Sequence, residues 1–195
     1  MKPIQNNKGE ILEINFITSN KNKVLEGDVI CSPSGIKLIQ ENREYEEKRG
    51  ESCEEIVLKA IEEISRNYKE KFIIEDSGIF IEKLNDFPGT YSKWVYQKIN
   101  CEGILKLMNG MENRNAKFVS VIGYFDGKEI SIYRGEVEGT ISHEIKGEKG
   151  FGYDPLFIPK GYKLTFAENS TLKHSLSHRT RAFQAFAKSL KYGEY

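Results

Sequence analysis

An excess of charge of either sign is missing from this chain. Its 29 Lys and Arg balance its 29 Asp and Glu. A protein with no net field is not built to wrap a long polyanion, so nucleic acid is not expected as a partner. A small basic pocket for one triphosphate remains compatible with that balance. Long apolar runs are also missing: none approaches the ~20 residues of a membrane span, so no membrane partner is expected. The first ten residues are polar, and a secretory leader is not expected either. Cysteine is scarce. Cys31, Cys53 and Cys101 are widely spaced, odd in number and fit no zinc pattern. They imply free thiols in a reducing, cytoplasmic setting. There is no P-loop, no internal repeat, no low-complexity stretch and no linker-like shift in composition.

What is present is an ordinary globular composition, 38% hydrophobic and 30% charged over 195 residues. The reading is a tail over residues 1–10 and one domain over 11–195, long enough to bury roughly 70% of its unfolded surface. Ile11 to Ile17 alternates apolar and polar residues and predicts a strand. Ser19 and Asn20 are N-cap types and predict a helix start, with Gly27 and Pro33-Ser34-Gly35 closing that unit. Ile36 to Ile39 predicts a short strand, and a charged loop follows to Gly50. Cys53, Ile56, Val57, Ala60, Ile61 and Ile64 recur at steps of three and four, which predicts an amphipathic helix. Phe72–Ile74 and Ile79–Ile81 read as two strands, Pro88-Gly89 as a break, and Tyr91–Lys98 and Ile104–Met108 as helical. Trp94 is assigned to the core. Asp126-Gly127 between two apolar runs predicts a hairpin with a two-residue type I′ turn. A last helix is expected from Ser177, with Phe183, Phe186, Ala187 and Leu190 on its apolar face. This alternation is α/β with an antiparallel part.

Four segments can carry chemistry, and each has a plainer reading beside it. Thr18-Ser19-Asn20-Lys21-Asn22-Lys23 follows a strand and opens a helix, where backbone N–H groups and the helix dipole attract anions. It is otherwise a solvated, capped loop. Glu75-Asp76-Ser77-Gly78 sets two carboxylates at the end of an apolar run, where charge is costly unless paired or metal-bound. Mg²⁺ accepts a few carboxylates with phosphate oxygens and water, and a carboxylate there can deprotonate water. The plainer reading is a turn. Phe151-Gly152-Tyr153-Asp154-Pro155 can hold a flat base against backbone, or is a tight turn with packed rings. Ser177-His178-Arg179 offers a cap and a fork of donors, or is surface decoration. His143 and His174 read as surface residues. Asn169-Ser170-Thr171 reads as a chance sequon.

The order of these segments, with Pro88-Gly89-Thr90-Tyr91-Ser92-Lys93-Trp94 between them, resembles the inosine triphosphate pyrophosphatase family, also called XTP/dITP diphosphatases, from about residue 11 to 190. Glu75 and Lys93-Trp94 are similar to its archaeal and eukaryotic branch. The resemblance implies a long, twisted mixed β-sheet flanked by helices, in two lobes with a nucleotide cleft between them, and a homodimer. It implies Mg²⁺-dependent hydrolysis of non-standard purine triphosphates such as ITP, dITP and XTP. In it Thr18, Ser19, Asn20, Lys21, Asn22 and Lys23 bind triphosphate. Asp76 is general base and metal ligand, with Glu47 as the second metal acid ahead of Glu41, Glu44 and Glu46, and Ser77 contacts substrate. Lys93 and Lys173 contact phosphates or base. Phe151, Gly152, Tyr153 and Asp154 stack on and read the purine, and His178 and Arg179 contact it near its 6-oxo group. The alternatives weighed are a Maf-type pyrophosphatase acting on modified pyrimidine nucleotides and a non-catalytic nucleotide-binding module.

Overall fold

The computed structural model describes residues 11–45 and 50–192. The tail over 1–10 and the metal ligand expected at Glu47 lie outside the described residues. Strand β1 (Leu12–Ile17) runs into helix α1 (Lys21–Cys31), a 3₁₀ turn (Ser32–Ser34) and strand β2 (Ile36–Glu41). Asn20 caps α1 by accepting from the Asn22 N–H at 3.0 Å. Gly27 does not end the unit as expected. It lies inside α1, where a Cβ would collide with the Phe183 ring and Leu38, so the helix carries glycine for close approach.

Helix α2 (Cys53–Ile64) buries all six residues of the expected stripe. Its Ser52 cap accepts from the Glu55 N–H, and Glu54 and Glu55 favour the positive dipole end. Strand β3 (Phe72–Ile81) corrects the sequence reading, because the two expected strands are one of ten residues with Glu75 and Asp76 in its middle. Strand β4 (Pro88–Gly89) pairs antiparallel with β3, so Pro88-Gly89 is an edge pair rather than a simple break. Helix α3 (Ser92–Leu107) is two helical segments across Asn100, whose φ of 52° and ψ of −161° are not helical. That matches the two expected pieces. Trp94 is 51% exposed and is not core, because α3 turns that side outward.

Strands β5 (Asn115–Phe125) and β6 (Ile130–Ile141) form the hairpin. Its turn differs from the expected type I′. Four residues connect the strands, only Gly127 has positive φ, and the Asp126 carboxylate accepts from the Lys128 and Glu129 N–H groups. Strand β7 (Phe157–Pro159), helix α4 (Ser170–Leu176) and helix α5 (His178–Tyr192) follow. Helix α4 was not expected. Asn169, read as part of a sequon, is its cap and accepts from the Leu172 N–H.

The sheet has seven strands in the order β2-β1-β3-β5-β6-β7, with β4 on β3. It is mixed: β1 runs parallel to both β2 and β3, while β6 and β7 are antiparallel. The chain divides into two compact units. The first takes residues up to Asp76, Ser120–Gly135 and the chain from Arg179, and the second takes Ser77–Val119 and Glu136–His178. In the first, Ile14, Phe16, Leu38, Ile73, Phe183 and Phe186 pack a core. In the second, Ile79, Ile81, Ile104, Phe118, Phe157 and Phe166 do so. No helix among the described residues is long and apolar enough to cross a membrane. The three cysteines are free and buried.

Candidate active site

In the first unit the site grows from two parallel strands. Phe16 of β1 lies opposite Ile73 of β3. Two residues further on, β1 has ended and the chain reaches Thr18, while β3 continues through Glu75 to Ile81. The turn after β1 is built tightly. Thr18 N–H donates to Glu41 O, Gln40 Nε2 donates to Thr18 O at 3.0 Å, and Asn20 N–H donates to Thr18 Oγ1 at 3.1 Å. Ser19, Lys21 and Asn22 are exposed.

Lys23 turns inward. Its Nζ lies 2.6 Å from Glu75 Oε2 and 2.9 Å from Glu75 O. Glu75, with a fully buried side chain, also accepts from Ser120 Oγ at 2.7 Å and pairs with Arg179 at 3.2 Å. Arg179 pairs in addition with Glu26 Oε2 at 2.7 Å. Burial alone would push the Glu75 carboxyl up. The Arg179 and Lys23 charges outweigh it, with hydrogen bonds from Lys23 and Ser120, and hold it well below the usual carboxylate range. Glu75 is therefore a structural anion paired with cations of its own chain. Asp76, half-buried, is the neighbouring carboxylate on the strand. The Cys53 thiol hydrogen-bonds to it. Burial first, then the Asp76 charge, hold that thiol far above the usual range, so it stays a donor.

Metal fit is a question of donors. Among the described residues, no group of three or more His, Cys, Asp or Glu is disposed to hold an ion. Glu41 is engaged by Arg43 at 2.7 Å and by the Tyr68 hydroxyl at 2.8 Å, which disfavours it as the second acid, and Glu44 is exposed. Asp76 offers a hard carboxylate, and Mg²⁺ fits one or two such groups completed by phosphate oxygens and water.

In the second unit the loop over residues 150–154 is held from inside. Asp154 Oδ2 accepts from Phe151 N–H at 2.7 Å and pairs with Lys173 Nζ at 2.8 Å, with both side chains buried. Lys173 Nζ also lies 4.3 Å from the Phe151 ring centroid, a cation–π contact. Gly150 and Gly152 adopt φ of 82° and 63°, which L side chains rarely accept. Phe151 and Gly152 are half-exposed, but Tyr153 is buried in the core. Of the two rings only Phe151 is open to an incoming molecule, while Tyr153 packs in the core. His178 is buried and stacked on Phe118, with centroids 4.5 Å apart at 10°. Neither His178 nor Arg179 is surface decoration. Ser177, with φ −61° and ψ 161°, is the single extended residue separating α4 from α5. Ser77 is half-buried and Lys93 exposed.

Glu26, Cys53, Ser120 and Phe118 were not anticipated. Glu26 carried one signal, its place three residues after Lys23 on one helix face. The other three carried none.

The mixed sheet flanked by helices defines an α/β chain, with an ion cluster beside Asp76 in its first unit and a ring-and-cation loop in its second. The chain belongs to the Ham1 family, whose model matches residues 14–189. It is 48% identical over 182 residues to a dITP/XTP pyrophosphatase of Pyrococcus horikoshii, covering 92% of this chain and 97% of that one. It is 43% identical to a dITP/XTP pyrophosphatase of Methanopyrus kandleri, with 92% and 97% covered. The Ham1 protein of Staphylococcus aureus superposes with a TM-score of 0.81 at 28% identity, covering 93% of this chain and all of that one.

Proposed function

We infer that this chain hydrolyses non-standard purine nucleoside triphosphates, of the ITP, dITP and XTP kind, to the monophosphate and pyrophosphate. The observation that carries the chemistry is the division of labour within one strand. Glu75 is engaged by Lys23, Arg179 and Ser120, while its neighbour Asp76 is oriented by the Cys53 thiol. A strand that neutralises one carboxylate with its own cations keeps the adjacent one for a reaction.

In this reading the turn over residues 18–23 holds the triphosphate through α1's N-terminal amides and Lys21. Asp76 takes a proton from water as its oxygen bonds to the α-phosphorus and the bond to the pyrophosphate oxygen breaks. Asp76 and Glu47 would hold Mg²⁺, which when bound neutralises charge building on the leaving pyrophosphate. Phe151 stacks on the purine, Asp154 and Lys173 fix the loop and read the base edge, and His178 and Arg179 donate toward O6. Lys93 and Ser77 contact substrate. A site built to donate to O6 has unpaired donors against adenine, a mismatch worth ~10⁴ or more in discrimination. The same reading carries a cytoplasmic homodimer.

The test is a product assay with ITP, ATP, GTP, dTTP and UTP, with and without Mg²⁺, resolving mono- from diphosphates. The expected result is IMP and pyrophosphate only with metal, with ATP and GTP largely spared. IDP and phosphate, a preference for dTTP or UTP, or no turnover by folded, metal-loaded protein would each overturn it.

A further inference from the structure

The loop that carries Phe151 has almost no regular structure of its own. Between Ser142 and Leu156 no helix or strand forms, and Gly147, Gly150 and Gly152 all take positive φ. Such a segment is mobile unless tied down, because glycine backbone is costly to order. Its contacts with α3 are therefore informative. The Tyr153 ring meets the Tyr96 ring edge-on, with centroids 5.3 Å apart at 89°. The Tyr153 hydroxyl donates to Ser92 O at 3.3 Å. The Cys101 thiol donates to Gly152 O at 3.5 Å. These contacts span α3 from its first residue to the residue just after its break.

That break makes the third contact possible. Asn100 has φ 52° and ψ −161°, a region almost reserved for glycine, which costs about 1–3 kcal/mol in other residues. A straight helix would carry position 101 onward at 100° per residue, whereas the reversal at Asn100 redirects the second segment. Cys101 is buried, and burial first, with Glu102 and Asp154 nearby, pushes its thiol up to about 11, so it remains a donor at neutral pH. The strained residue immediately precedes the donor that reaches the loop.

We propose that Tyr96 and Cys101 are positioning residues that brace the Phe151–Asp154 loop from behind and thereby set affinity for the purine. They act through Tyr153 and the Gly152 carbonyl rather than on the reacting phosphate. The proposal rests on the functional reading above for the identity of the ligand, but not for the brace itself.

Two readouts separate these. The first is hydrogen–deuterium exchange of amides 150–156 without nucleotide. Tyr96→Leu and Cys101→Ala each speed exchange there, and Cys101→Ser, which keeps a donor, restores much of the protection. The second is product inhibition of ITP hydrolysis. Each variant raises the inhibition constant of IMP by about threefold to tenfold, the scale of one lost hydrogen bond or ring contact. The constant for pyrophosphate and kcat stay within about twofold. Unchanged exchange and unchanged IMP inhibition overturn the brace. So does an equal rise for IMP and pyrophosphate, which means a general loss of structure. If Tyr96→Leu does not fold, Cys101→Ala, which removes only a sulfur, carries the test. If the wild-type chain turns over no ITP, the functional reading falls while the exchange experiment still decides the brace.

Discussion

In the first unit the polar groups of the site are locked by opposite charges, while in the second they are held by rings and irregular backbone. Glu75 meets Lys23, Arg179 and Ser120 within 3.2 Å, and Arg179 carries the cluster on to Glu26. The second unit has one buried pair, Lys173 with Asp154. Its other ties are the Phe151 ring under Lys173, the Tyr96–Tyr153 contact and the His178–Phe118 stack. Buried charges tolerate little displacement, since breaking one pair strands its partner. Ring contacts lose energy gradually as they slide. The first unit is thus held stiffly by charge and the second more yieldingly by rings.

The hardest way to break this comparison is Glu75→Gln. The buried Arg179 and the half-buried Lys23 then lose the anion they share, and the expected loss of stability is about 3 kcal/mol in urea unfolding. The pH dependence carries the same signature. The Glu75 carboxyl is held below its ordinary 4.5, so its stabilisation is complete above that value and is lost as pH falls toward the lower folded value. The wild-type chain should lose stability on acidification below pH 4.5, and the variant's curve should be flatter there. Equal stability and equal slopes would remove the charge lock. Next comes Asp76→Asn, which should keep the unfolding midpoint and lower kcat by at least ~10². Near-normal turnover would take Asp76 out of the mechanism. The smallest expected effect sharpens the contrast in the second unit. Phe151→Leu should raise KM for ITP about tenfold with little change in kcat or stability, because the ring is half-exposed. A marked loss of stability would make Phe151 a core residue instead.

How much of this the sequence revealed follows from where each partner lies along the chain. The apolar stripe of α2 was legible because a helix face is local. The carboxylates at Glu75 and Asp76 stood out, but the single strand through them did not. Four polar or small residues in a row read as a turn until Lys23, Ser120 and Arg179 compensate Glu75 from 52, 45 and 104 positions away. Glu26 showed only its helical spacing from Lys23, because its partner Arg179 lies 153 positions distant. Trp94 was assigned to the core, yet which face of α3 is covered is decided by tertiary neighbours. Helix α4 has only seven residues, too short for periodicity to show.

The ion cluster has a consequence for how substrate arrives. Glu26 and Glu75 contribute two negative charges, and Lys23 and Arg179 two positive ones, so the cluster is electrically neutral. It lends no long-range pull on a polyanion, although two of its members are cations. Electrostatic steering would then come from exposed lysines such as Lys21 and Lys93, whose reach salt cuts to about a Debye length. The capture rate of a nucleotide by this chain should therefore vary only gently with ionic strength, with encounter governed mainly by diffusion and fit.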